Sequence, residues 1–145
     1  MQRRLDLHIS AIPRIQPESI DPTIKNYHWL DLIVGLYEAY DAGSENVLLV
    51  DGAGRVTEGA GFNIFAMKDG RAITPDHSVL EGITRRTTLE LVGELQIKAK
   101  TVPLAIGDLK TADEAFIAST AGGIMPVGRI DGQASAPDLA RSRRG

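Results

Sequence analysis

The sequence predicts an α+β fold, an antiparallel-rich mixed sheet with flanking helices. Three observations carry that prediction. Apolar stretches of strand length recur between Asn46 and Thr74, punctuated by Asp-Gly pairs and other glycines. Two longer stretches, one before and one after that run, carry apolar residues at helical spacing. Helices and strands follow one another in mixed order, without the regular alternation of a doubly wound parallel sheet.

Length and composition set the outer bounds. At 145 residues, with 43% hydrophobic residues, the chain has the size and apolar content of one ordinary domain. A net charge of -3 and scattered basic residues, apart from Arg85-Arg86 and the terminal "RSRR", speak against a nucleic-acid surface. There is no cysteine, which removes disulfides and thiolate chemistry. His8, His28 and His77 do not stand at ligand spacing, so no metal site is expected. No apolar run approaches the length of a membrane span, and "MQRRLDLHIS" lacks the apolar block of an export signal. A cytoplasmic location without membrane contact is the expectation.

Met1 to Thr23, with Pro13, Pro17 and Pro22, is expected to be an extended lead-in or linker, with order beginning after it. From Asn26 to Ala42, Leu30, Ile33, Val34, Tyr37 and Tyr40 recur at helical spacing, and Gly43 supplies a C-terminal cap. Strands are predicted at about Asn46–Asp51, Arg55–Thr57, Phe62–Met67 and Arg71–Thr74, with Asp51-Gly52 and Asp69-Gly70 as tight hairpin turns. A second helix runs from Ile83 to about Leu95, its apolar side formed by Leu89, Leu91, Val92 and Leu95. A strand at Lys98–Val102, a short helix near Ala105–Lys110 and a strand at Glu114–Ser119 lead into "STAGGIMPVGRIDG". The main domain is placed at residues 24–132. Residues 133–145, "QASAPDLARSRRG", are small, polar and basic, and are expected to form a loose tail.

Four places carry chemical interest. In "TEGAGFN" a single carboxylate, Glu58, stands between predicted strands, directly before Gly59-Ala60-Gly61. In "LEGITRR", Gly82 opens a helix whose first turn holds Thr84; unpaired amides and a hydroxyl there attract anions such as phosphate. Taken alone, that motif is more often a glycine loop and a capped helix. "STAGG", Ser119 to Gly123, repeats the pattern at a strand end and is equally common in plain turns. In "DPTIKNYHW", Lys25 stands beside Tyr27 and Trp29, where a dehydrated amine can become neutral and attack a carbonyl. Most lysines before a helix are simply solvated. The glycines of "GAGRV" and "GAGFN" do not make a dinucleotide fingerprint, because neither opens a helix as G-x-G-x-x-G.

Lys25, "TEGAGFN", "GITRR" and "STAGGIMPV", in this order and spacing, resemble the class IV pyridoxal-phosphate aminotransferases, also called fold type IV. The resemblance spans about Ser19 to Gly132. Within the group, "DPTIKNYHWLDL" and "TAGGIMP" look most like the (R)-selective amine transaminases, close relatives of the branched-chain enzymes.

The resemblance implies the larger, C-terminal domain of such an enzyme, a pseudo-barrel with flanking helices. It implies pyridoxal 5′-phosphate as cofactor, with Lys25 as the Schiff-base lysine and proton shuttle. Glu58 would face the pyridine nitrogen with Asn63 beside it, and Leu80 would pack on the ring. Gly82, Ile83 and Thr84 would hold the phosphate at the helix terminus, and Ser119 and Thr120 at the second loop.

Family members are about twice this length, and their N-terminal domain carries much of the substrate pocket. The chain therefore reads either as the cofactor half of an aminotransferase acting on an amine or amino acid and a 2-oxo acid, or as a non-catalytic remnant that at most binds the cofactor or a partner. D-amino-acid aminotransferase and aminodeoxychorismate lyase remain alternatives within the group. Association, as a homodimer or through the face the missing domain would cover, is expected.

Overall fold

A computed structural model describes residues 4–11, 13–14, 30–76, 79, 83–119 and 122–134. In chain order the elements are β1 (Leu5–Ile9), α1 (Leu30–Asp41), β2 (Asn46–Val50), β3 (Val56–Gly59), β4 (Phe62–Lys68), β5 (Arg71–Thr74), α2 (Ile83–Glu94), β6 (Lys98–Thr101), α3 (Ile106–Lys110), β7 (Glu114–Ser119), β8 (Gly123–Ile130) and β9 (Gln133–Ala134). The strands make one mixed sheet in the order β3-β2-β1-β8-β7-β4-β5-β6, with β9 folded back on β8. A further pairing of β3 with β4 closes β1, β2, β3, β4, β7 and β8 into a barrel. Strand β1 runs parallel to both of its neighbours, and β5 runs parallel to β6; the other pairings are antiparallel.

Alternation along the strands decides what fills the barrel. Leu5 and Leu7 of β1, Leu48 of β2, Phe62 and Ile64 of β4, Ala115 and Ile117 of β7, and Val127 and Ile130 of β8 belong to one apolar core, together with Val56. Leu104, Leu109 and Ala112, around α3, complete that core. The intervening residues Val47 and Leu49 point the other way and meet Leu32 and Ala39 of α1. On β4 and β7 the alternate residues Phe65 and Phe116 stand directly opposite each other, their rings stacked with centroids 5.0 Å apart.

Turn chemistry is legible in the backbone. Asp69 and Gly70 both have positive φ, 52° and 74°, and join Lys68 to Arg71 in a two-residue hairpin, as their sequence predicts. Asp51-Gly52 behaves differently. Its loop extends to Arg55, the positive φ falls on Gly54, and the Asp51 carboxylate accepts from the backbone N–H groups of Ala53 and Arg55.

Three expectations are corrected. Order does not begin after Thr23: Leu5–Ile9 forms a strand inside the sheet, paired on both edges. Its alternation, Leu5, Leu7 and Ile9 against Asp6 and His8, was the available signal. The helix α1 forms, but with the opposite face inward. Leu30, Ile33, Val34, Tyr37 and Tyr40 are exposed, whereas Leu32, Gly35 and Ala39 are buried. Gly35 explains the choice: a Cβ there would lie 3.0 Å from Leu49 Cδ2 and 3.1 Å from Val47 Cγ2, so the small side of the helix is the one that approaches β2 closely. In α2 the expected Val92 is buried, together with Arg85 and Thr88, while Leu91 and Leu95 face out. The loose-tail expectation fails at its first two residues, where Gln133 and Ala134 form β9 and pair with Ile130 and Arg129; residues 135–145 lie outside the described residues.

A polar cluster ties the end of β1 to its surroundings. His8 Nε2 lies 2.9 Å from Glu38 Oε1 on α1, and His8 Nδ1 lies 3.4 Å from Asp131 Oδ1 in the turn after β8. Glu38 also accepts from the Ser10 hydroxyl and the Ala11 N–H, and Asp131 Oδ2 pairs with Lys110 at 3.2 Å. These hydrogen bonds, Ala11 foremost and His8 next, hold the Glu38 carboxyl below its ordinary value.

Candidate active site

Glu58 reaches its position through an irregularity in the sheet. Val50 of β2 faces Val56 and Leu48 faces Gly59, so two steps on β2 are matched by three on β3. That β-bulge gives β3 one extra residue and re-aims the side chains within it. Val56 belongs to the barrel core, and Gly59 faces inward against the Phe62 ring. Between them, Thr57 donates its hydroxyl to the Leu49 carbonyl at 2.8 Å, and Glu58 stands opposite Asn63. Asn63 lies between the core residues Phe62 and Ile64, so it points to the outer side of the barrel, and Glu58 shares that face. Regular alternation from Val56 would have put the carboxylate among leucines. The bulge prevents it.

The carboxylate is buried, 6% exposed, and so needs a counter-charge. Arg14 supplies one: Nη2 donates to Glu58 Oε1 at 3.2 Å, and Nη1 donates to Asp31 Oδ2 at 2.7 Å. Arg14 is itself 6% exposed and anchored through its backbone N–H to the Val50 carbonyl. Its Nε is buried without a hydrogen-bond partner among the described residues. Neither Arg14 nor Asp31 was singled out from the sequence, because an ion pair between positions 44 apart leaves no periodic trace.

The sheet register brings one other expected residue, Asn63, to the same face. Asn63 is opposite Glu58 on one side and Ala118 on the other, and Ser119 follows Ala118 at the end of β7. Glu58 and Ala118 are thus two strand spacings apart, roughly 10 Å. Ser119 Oγ accepts from the Gly122 N–H at 2.9 Å, closing a small polar turn. Ile83 opens α2 and is exposed, and Thr84 follows it, half-buried. Lys25, Leu80, Gly82 and Thr120 lie outside the described residues. Among the described residues no group of His, Asp and Glu is arranged to hold a metal ion.

The chemistry of this donor set fits pyridoxal phosphate. A charge-paired carboxylate lies at one end of an outer face. A serine turn ends β7, two strands away, and the 12-residue helix α2 opens with Ile83 and Thr84.

Comparison with known proteins bears on the same point. Residues 1–130 match the family described as Amino-transferase class IV, so the likeness reaches back well beyond Ser19 and takes in β1. A protein of Methanocaldococcus jannaschii assigned as a branched-chain-amino-acid aminotransferase is 38% identical over 125 residues, which make up 85% of this chain and 43% of that protein. The Escherichia coli branched-chain-amino-acid aminotransferase is 36% identical over 137 residues, covering 91% of this chain and 44% of the relative.

Among solved structures, the E. coli enzyme superposes with a TM-score of 0.88 at 32% identity, over 97% of this chain and 50% of that one. A T.th. branched-chain amino acid aminotransferase complexed with N-(5′-phosphopyridoxyl)-L-glutamate gives a TM-score of 0.88 at 28% identity, over 97% and 49%. The chain spans about half the length of these relatives, and none of them is an amine transaminase. With the family match covering 130 of its 145 residues and the barrel superposing closely on solved members, the chain belongs to the class IV aminotransferases.

Proposed function

We propose that this chain forms the cofactor-holding half of a pyridoxal-phosphate-dependent aminotransferase that moves an amino group between an amino acid and a 2-oxo acid. The observation that carries the reading is Glu58: a buried carboxylate, turned out of the barrel by a bulge and paired with Arg14. Branched-chain amino acids are the favoured donors, supported by the names of the relatives.

When bound, pyridoxal phosphate supplies an electron sink that eases loss of a proton from the carbon bearing the substrate amine. Glu58 places negative charge at the ring nitrogen and favours its protonated form. Lys25, the residue that matches the family lysine, would hold the cofactor through its amine and would serve as the base that moves the substrate proton. Leu80 would pack on the ring, and Asn63 lies opposite Glu58 on the neighbouring strand. Gly82, Ile83 and Thr84, with Ser119 and Thr120, take the phosphate through helix-terminal amides and hydroxyls.

No described helix is long and apolar enough to cross a membrane, and we place the protein in the cytoplasm. The exposed apolar side of α1 supports association, with a second copy or with a complementing domain.

The direct test is to incubate the chain with pyridoxal phosphate, reduce with borohydride and map the modified lysine by mass spectrometry, with Lys25→Ala as control. Selective modification of Lys25 is expected. Modification absent, or spread over all lysines, would overturn the reading.

A further inference from the structure

We infer that Arg14 is a positioning residue for Glu58, fixing the direction of the carboxylate that meets the cofactor ring nitrogen. The inference rests on the function proposed above.

The geometry is that of a fork. The two terminal nitrogens of one buried guanidinium go to two carboxylates on different elements, Glu58 on β3 and Asp31 in the first turn of α1. A planar guanidinium holds such partners in fixed directions, which a single ammonium on a flexible stem cannot do. The Arg14 backbone is pinned to β2 through Val50, so the fork has a rigid base. Packing alone does not account for the arginine, since both of its terminal nitrogens are committed to acids in a buried setting.

Asp31 stands six positions after Lys25, so the bridge links the acid to the helix that follows the lysine segment. Glu58 itself sits in a bulge, where ladder hydrogen bonds constrain the strand less than elsewhere. A carboxylate there needs an external hold if it is to present one oxygen to a ring N–H each time the cofactor binds.

The test separates orientation from general stability. Binding of pyridoxal phosphate and of its carbocyclic analogue, in which carbon replaces the ring nitrogen, is measured for the wild-type chain, Arg14→Met, Arg14→Lys and Asp31→Asn. Thermal unfolding of each is recorded alongside. The wild type is expected to favour pyridoxal phosphate by about tenfold or more, the scale of one charge-assisted hydrogen bond. Arg14→Met brings that ratio close to one. Arg14→Lys and Asp31→Asn fall between, because charge or fork is kept but not both.

A purely structural role would weaken both ligands equally and leave the ratio unchanged, which would overturn the inference. Should Arg14→Met fail to fold, a wild-type ratio in the two milder variants would overturn it equally. A wild type that binds neither ligand would instead bring down the proposed function, and this inference with it.

Discussion

Glu38 Oε1 lies 2.9 Å from the His8 ring, across the junction of α1 and β1, and the same oxygen accepts the Ala11 N–H at 2.9 Å. The carboxyl is thereby held below its ordinary value of 4.5. A group whose folded value is depressed stabilises the fold above its unfolded value, and that contribution is lost as pH falls through the lower folded value. Unfolding midpoints in urea should therefore drop as pH is lowered below roughly 5, and Glu38→Gln should flatten that part of the curve. An unchanged acid limb in the variant would show that Glu38 is not the group responsible.

Gly59→Ala should be destabilising by about 1–3 kcal/mol. A Cβ at this position would run into the Phe62 ring and the Val47 carbonyl, and the second of these is backbone that cannot rotate away. The substitution should also weaken cofactor binding, because Glu58 is the adjacent residue. Calorimetry and a binding titration on the same sample check both parts.

Thr57→Val keeps shape and deletes the buried hydroxyl that donates to the Leu49 carbonyl in the bulge. The loss should be about 1–2 kcal/mol in chemical denaturation. If the variant equals wild type in stability, the bulge does not depend on that bond.

Leu109→Ala opens the end of the barrel that α3 closes. Leu109 is fully buried, and truncation should lower stability by about 2–5 kcal/mol. The loss should appear at the unfolding midpoint with the cofactor absent, since Leu109 belongs to the barrel interior and not to the outer face that carries Glu58.

Much of the fold was legible in local pattern. Strands around Phe62–Lys68, Arg71–Thr74 and Glu114–Ser119 follow from short apolar runs, and the Asp69-Gly70 turn from the Asp-Gly pair itself, whose residues take the positive φ values such a turn requires. Two things resisted. The large apolar residues of α1 mark its helical period but not its inward face, because what decides is how closely a helix can approach the sheet, which Gly35 and Ala39 permit and Tyr37 and Tyr40 do not. The strand β8 was hidden by Gly123, Pro126 and Gly128. Its pairing to β1 opens at Val127, immediately after the residue that cannot donate a backbone hydrogen bond.

For the site, the motif spacing named Glu58 and Asn63, which the register sets opposite each other on the outer face, while Ser119 follows Ala118 at the end of β7. The bulge that turns Glu58 outward and the Arg14 bridge depend on strands meeting far along the chain.

Barrel closure also dictates the order in which the chain can mature. β1 is laid between β2 and β8, and the Ile9 N–H is satisfied by Asp131, 122 positions later. During synthesis the first strand emerges long before the last, so one of its edges must stay unpaired until β8 is made. Long-range pairing of this kind is slow and leaves strand edges exposed on the way. A ribosome stalled before Gly123 would therefore hold an open sheet, and barrel closure must wait until β8 has emerged.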